Sequence, residues 1–176
     1  WMNPQLKNKI IDVASGTGDL AKIISKKNNN QNSIHCVEPN QGMLDTGKNK
    51  LKLFRNIKWF LYPAEKLPFK DDTFDFYTIS YGIRNVTNIN QCLKEAFRVI
   101  KPGGRFFCLE FSKVENEFLN LLYQNYSKLI PLFGKIIVGS SDPYDYLITS
   151  IDKFYDQDEL VELMEQNKFS NVEFRN

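Results

Sequence analysis

The feature that most constrains this chain is a regular alternation of short apolar runs with amphipathic segments between Lys9 and Phe111. Residues 9–14 (KIIDVA) run straight into a glycine-containing turn, which is the pattern of a buried strand. Residues 20–27 predict a short helix that stops at the cluster Asn28, Asn29 and Asn30, and residues 33–38 (SIHCVE) predict a second strand. Pro39 and Asn40 open a helix on which Met43, Leu44, Gly47, Leu51 and Phe54 share a face. Residues 57–62 (IKWFLY) read as a third strand, and residues 74–80 (FDFYTIS), preceded by the turn KDDT, as a fourth. The clearest helix has Asn88 as its N-cap and a stripe of Ile89, Cys92, Leu93, Ala96, Phe97 and Ile100 at helical spacing. Pro102, Gly103 and Gly104 are expected to end it, and residues 105–111 (RFFCLEF) to form the fifth strand. This order predicts an α/β fold: a doubly wound, Rossmann-like and mostly parallel sheet.

The pattern then changes. Residues 113–170 separate the fifth strand from a last strand expected near residues 171–175. A crossover can be as short as roughly a dozen residues, so most of this stretch is additional. Phe118, Leu122, Tyr126 and Leu129 form a helical stripe, Pro131 and Gly134 break it, and the Tyr-rich run PYDYLITS follows at residues 143–150. Residues 159–167 read as the final crossover helix. Residues 113–155 thus form a helical insertion within one domain spanning residues 1–176. Its position is at the carboxyl end of the sheet, where open α/β sheets bind ligands. The aromatic stripe serves either as core for the extra helices or as a cover over the substrate.

Composition excludes several classes. A net charge of +2 with no Lys/Arg block gives no support for a nucleic-acid partner. The three cysteines, Cys36, Cys92 and Cys108, form no CxxC pair, and His35 is the sole histidine, so neither a zinc site nor a disulfide framework is expected. His35, in the middle of the second strand, is expected in the core. A reducing compartment is expected, and no apolar run approaches the roughly 20 residues of a membrane span. The chain opens at Trp1 without an initiator Met, which suggests a fragment.

The chemistry begins at Gly16, Thr17 and Gly18, which follow a strand and open a helix, as a nucleotide-binding loop requires. A bare GxG is weak, because a structural turn looks the same. Glu38, 20 residues past Gly18, ends the second strand, where a carboxylate can accept hydrogen bonds from both ribose hydroxyls. Loop and carboxylate together favour an adenosine-type cofactor. The dinucleotide fingerprint is formally met by Gly16, Gly18 and Ala21, which keeps an NAD(P) dehydrogenase open. Asp12 and Asp19 weigh against it, since carboxylates flanking the loop repel a pyrophosphate. S-adenosyl-L-methionine has no phosphate and carries a sulfonium and an ammonium, so the same charges favour it.

The segments DVASGTGDLA, AEKLPFKDDTFDFYTISYGIRNVTN, RVIKPGGRFFCLEFSK and YDYLITSI, in that order, resemble the ubiquinone/menaquinone biosynthesis C-methyltransferases, the UbiE-type family. The resemblance spans nearly the whole chain, and YGIRNVTN followed by LEFSK is its most specific part. It implies a class I methyltransferase fold, S-adenosyl-L-methionine as methyl donor, no metal, and a polyprenylated benzoquinol or naphthoquinol as substrate. Within the resemblance, Asp12, Gly16, Thr17, Gly18, Glu38, Pro63, Ala64 and Ser80 fall on the cofactor-binding positions, with Pro63 and Ala64 at the adenine. Arg84 and Asn85 fall on the catalytic positions near the quinol and the transferred methyl; alternatively they only turn the chain into the next helix. Tyr81 and Tyr144 are further candidates for the substrate pocket.

The sequence departs from the family in two ways. Pro63 stands where the family often has Asn, which leaves adenine to the Ala64 N–H, Glu65 or a water. An N-terminal helical segment and a last C-terminal strand are also expected to be lacking. The expected location is cytoplasmic with peripheral contact to the inner membrane (the matrix side in a eukaryotic mitochondrion), and a homodimer or a quinone-biosynthesis complex are the possible assemblies. A methyltransferase for another small lipophilic acceptor and a non-catalytic binding subunit are the alternatives.

Overall fold

The structure is a computed structural model that describes residues 2–5, 7–113 and 142–176. Five parallel strands, β1 (Lys9–Val13), β2 (Ser33–Val37), β3 (Ile57–Phe60), β4 (Phe74–Ser80) and β5 (Ile100–Leu109), form one sheet in the order β3-β2-β1-β4-β5. Helices α1 (Asp19–Lys27) and α2 (Gln41–Lys50) connect β1 to β2 and β2 to β3, and α3 (Ile89–Val99) connects β4 to β5. Ile10, Ala21, Ile24, Ile34, Cys36, Leu51 and Ile57 pack together on the α1 side. Side chains alternate along a strand, so Ile11, His35 and Tyr77 face the other way, and the Tyr77 hydroxyl meets Cys92 Sγ on α3 at 3.8 Å. Helices on both faces make the sheet doubly wound, as its alternation predicts. His35 stacks on Phe60 and meets the edges of Phe69 and Phe74, and burial lowers its pKa to about 4, a neutral ring in an aromatic cluster.

Both helix-opening asparagines act as caps: Asn40 Oδ1 accepts from Met43 N and Asn88 Oδ1 from Gln91 N. Two expectations fail. Pro102, Gly103 and Gly104 lie inside β5, where they bulge out opposite Asp75 while Phe74 pairs Ile100 and Phe76 pairs Arg105. Gly103 is left-handed at φ +76°, and a Cβ on Gly104 would come within 2.6 Å of Ile100 Cγ2. Lys101 Nζ closes the bulge on Asp75 Oδ1 at 2.6 Å. The last strand, expected at residues 171–175, is absent from the structure. Its alternating Val172 and Phe174 find no covered face, Phe174 remaining 46% exposed, so nothing fixes a register there.

The chain divides into two compact units, Trp1–Glu110 with Asn167–Phe169, and Phe111–Gln166 with Ser170–Asn176. The second contains α4 (Asp142–Asp152) and α5 (Gln157–Gln166), so the Tyr-rich run is helical. Lys113 reaches Glu159 at 3.6 Å, and Ser112 Oγ donates to Gln157 Oε1 at 2.8 Å. The predicted stripe Phe118, Leu122, Tyr126 and Leu129 and its breakers Pro131 and Gly134 lie outside the described residues.

Candidate active site

Strand order reverses between β1 and β4, so their carboxyl ends open the crevice that such sheets offer a ligand. Two sharp turns flank it. At the end of β1, Ala14 adopts φ +52°; at the end of β4, Tyr81 adopts φ +53°. Left-handed non-glycine residues cost about 1 kcal/mol or more and collect at functional sites. The turns touch: a Cβ on Gly82 would collide with the Ala14 Cβ, so glycine there lets the two loops close on each other.

On the β1 side, the loop is tied to β2. Ser15 N donates to Val37 O at 3.2 Å, and Gly16 N to Glu38 Oε2 at 2.8 Å, while Glu38 Oε1 accepts from Asn40 N at 3.0 Å. Glu38 is 5% exposed, and each of its oxygens retains lone pairs for ribose hydroxyls. Asp12 is 1% exposed; its Oδ1 accepts from Thr78 Oγ1 at 2.7 Å, and its Oδ2 has no hydrogen-bond partner among the described residues. Burial, with Glu38 adding like charge, raises the Asp12 pKa to about 7 against the opposing Thr78 bond. Among the described residues neither carboxylate is ion-paired. A buried, orphaned carboxylate oxygen beside a second carboxylate suits a cationic, phosphate-free ligand and opposes a pyrophosphate. S-adenosylmethionine fits this donor set.

Asp19 contributes less to that selection than its position suggests. Its side chain is 70% exposed and its Oδ1 meets Lys50 Nζ at 2.7 Å, which lowers its pKa and neutralises its charge. Thr17 Oγ1 donates to Asp19 Oδ2 at 3.0 Å and accepts from Lys50, so its hydroxyl serves the same surface cluster. Gly18 has a packing role: a Cβ there would meet Leu51 Cδ1 and Trp59 Cη2, each at 2.8 Å. Gly16, at φ +55°, lies under Met43 Cε.

In the segment after β3, Pro63 is exposed and its carbonyl accepts from Lys66 N at 3.2 Å, while Ala64 is buried. Glu65 is committed elsewhere. Its Oε1 accepts from Thr87 N at 2.8 Å and Asn88 N at 3.1 Å, holding the entry to α3.

On the β4 side, Ser80 pairs with Leu109 and stands half-buried at the strand end. Arg84 and Asn85 lie in the 3-10 turn Ile83–Asn85. Arg84 is ion-paired with Glu110, and the two side chains are only 7% and 4% exposed. Arg84 Nη1 and Asn85 Nδ2 also donate to Tyr81 O, at 3.2 and 3.3 Å. The Tyr81 side chain sits at the crevice with the residue 44% exposed. Tyr144 falls in α4, and its side chain lies outside the described residues. Sequence reasoning missed Glu110 and Thr78. Glu110 lies within the family-specific LEFSK run, a usable signal, whereas Thr78 faces Asp12 only through strand register.

Among the described residues no group of three His, Cys, Asp or Glu is placed to hold a metal ion. No described helix is long and apolar enough to cross a membrane.

The ubiquinone/menaquinone biosynthesis C-methyltransferase UbiE of Rickettsia bellii is 46% identical over 98% of this chain and 73% of its own length. The protein of the same name from Rickettsia prowazekii is likewise 46% identical, with the same coverage. Among solved structures, the YcgJ protein from Bacillus subtilis matches with a TM-score of 0.69 at 20% identity, over 93% of this chain and 62% of that one. A SAM-dependent methyltransferase from Thermotoga maritima gives 0.65 at 24% identity, over 97% and 67%. These structures establish the fold alone, that of class I methyltransferases. With the ubiE/COQ5 methyltransferase family model matching residues 1–176, the chain belongs to that family.

Proposed function

We propose that the chain transfers a methyl group from S-adenosylmethionine to a ring carbon of a polyprenylated benzoquinol or naphthoquinol. The observation that carries this reading is the 46% identity, over 98% of the chain, to relatives named for that C-methylation. The buried carboxylates Asp12 and Glu38 independently support its donor half, because they suit a cationic ligand without phosphate.

When bound, S-adenosylmethionine supplies a methyl already activated on a sulfonium. Asp12 and Glu38 provide the negative potential that holds a cation at the carboxyl end of β1, and Glu38 accepts the ribose hydroxyls. The Gly16 backbone and Thr17 line the methionine portion with Ser80, and Pro63 and Ala64 border the adenine. The protein's main task is then to hold the acceptor carbon in line at ~3–3.5 Å.

A ring carbon is a poor nucleophile until the neighbouring hydroxyl loses its proton, a step worth typically ~10²–10⁴-fold. Asn85 orients that hydroxyl through its side-chain amide. Arg84 stabilises the developing phenolate by charge or positions a water as base. Tyr81 faces the acceptor, and the family resemblance makes Tyr144 a further candidate for its binding. No metal is required by this chemistry. The prenyl tail places the acceptor in a bilayer, which a chain without a described span reaches by peripheral contact.

The decisive experiment offers labelled S-adenosylmethionine with demethylated benzoquinol and naphthoquinol, each with and without lipid vesicles. Label in a ring methyl of either acceptor is expected, and more of it with vesicles for long-tailed substrate. Donor binding by calorimetry without label in either ring would overturn the proposal.

A further inference from the structure

Tyr81 is held on both sides of its own Cα by bonds to β5 and to the turn that follows β4. Its N–H donates to Leu109 O at 2.7 Å, continuing the β4–β5 ladder past the Ser80–Leu109 pair. Its carbonyl accepts from Arg84 Nη1 and from Asn85 Nδ2. Asn85 N donates to Gly82 O at 3.0 Å and closes the turn. The peptide groups on both sides of Tyr81 are therefore held while its own φ is +53°. An aromatic residue does not hold that conformation unless its surroundings impose it. The ring it displays is the large exposed aromatic at the end of β4, and the turn beneath it rests on Ala14 of the opposite loop.

The strut behind this turn is the Arg84–Glu110 pair. Arg84 Nη1 serves two acceptors, the Tyr81 carbonyl and Glu110 Oε1, so the carboxylate fixes where the guanidinium can reach the turn. Both side chains are nearly dry, and a buried pair of this kind has a weak case as a source of stability, because desolvation offsets the attraction. Replacing such a pair by apolar residues of similar volume is often neutral or stabilising. Its retention at the crevice is better explained by the geometry it enforces than by energy.

We infer that Glu110 is a positioning residue for the acceptor: through Arg84 it holds the left-handed turn at Tyr81, and so sets the Tyr81 ring against the acceptor's aromatic ring. The inference rests on the proposed quinol methylation for the identity of that ring. The donor carboxylates Asp12 and Glu38 stand on other strand ends and bond Thr78, Gly16 and Asn40 rather than the Arg84–Glu110 strut. Relaxing the strut lets Tyr81 return to negative φ, which swings its ring away and loosens the acceptor while leaving the donor in place.

The experiment compares wild type with Glu110→Gln and with the apolar pair Arg84→Met/Glu110→Leu. It measures the affinity of a short-tailed demethylated quinone by calorimetry, donor affinity the same way, and the thermal midpoint. Glu110→Gln is expected to weaken quinone binding roughly tenfold or more, as misplaced groups at a reacting site do, with donor affinity within about twofold of wild type. The double variant is expected to regain the thermal midpoint but not the quinone affinity. Where Glu110→Gln does not fold, Glu110→Asp, which keeps the charge but shortens the reach to Arg84, takes its place with the same expected loss of quinone affinity and retained donor affinity. Recovery of quinone affinity in the double variant, or its retention in Glu110→Gln, would show that the pair is only structural and overturn the inference. A wild-type protein that binds donor but no quinone refutes the proposed acceptor instead, so the two failures are separable.

Discussion

Two buried carboxylates at the carboxyl end of the same sheet are treated in opposite ways. Asp12, on β1, has Thr78 on one oxygen and, among the described residues, no hydrogen-bond partner on the other, and the like charge of Glu38 acts on it. Glu110, just past β5, is matched by the Arg84 guanidinium. The turns beside them share a left-handed non-glycine residue, so backbone shape does not distinguish the two sides. Charge compensation does. The β1 side keeps negative potential available for a cation, while on the β4 side the buried carboxylate is balanced by the Arg84 guanidinium.

The comparison is broken most forcibly at Arg84. Arg84→Ala leaves Glu110 buried without its counter-ion, and a stability loss of about 3–5 kcal/mol is expected, readable in a denaturant titration. Turnover should disappear while the folded fraction still binds donor. Loss of donor binding in that fraction would mean that the two sides are not independent.

A smaller effect is expected at Asp12. Its folded pKa of about 7 lies above the ordinary carboxylate value of 3.8, so between these values the folded state holds a proton that the unfolded state has released. Its favourable contribution is complete below about pH 4 and is lost as pH rises toward 7. A bound cation favours the ionised carboxylate, so donor affinity should rise with pH and level off above about 7. Calorimetry in buffers of different ionisation enthalpy should detect a proton released on binding near pH 6. Asp12→Asn should flatten both dependences, and an unchanged slope in that variant would assign the proton elsewhere.

The smallest effect is expected at Asp19, which sharpens the contrast between a carboxylate near the loop and one that acts in it. Asp19 is exposed and paired with Lys50, an arrangement worth typically about 0–1 kcal/mol. Asp19→Asn should change donor affinity by less than about twofold. A tenfold loss in the same binding assay would return it to the pocket.

Much of the fold was legible because its signals are local. The alternation of apolar runs and helical stripes located all five strands, and Asn40 and Asn88 announced two helix starts by their own side-chain chemistry. The same local reading misplaced Pro102, Gly103 and Gly104, because a helix end and a strand bulge both favour glycine. Only the pairing of Phe74 with Ile100 and Phe76 with Arg105 decides between them. The strand expected at residues 171–175 failed for a related reason: alternation identifies a candidate face, but burial has to hold it.

The candidate site divides along the same line. By itself the sequence determined the loop at Gly16, the acid at Glu38 and the segment at Arg84 and Asn85, since each is a short run of fixed spacing. What each group bonds to was decided by tertiary structure. Asp12 meets Thr78 across 66 residues, Glu65 holds Thr87 across 22, and Glu110 claims Arg84 across 26. The physical reason is that residue type and period are local properties. Whether a charge is solvated, orphaned or compensated depends on which side chains strand order and register bring into the same dry space.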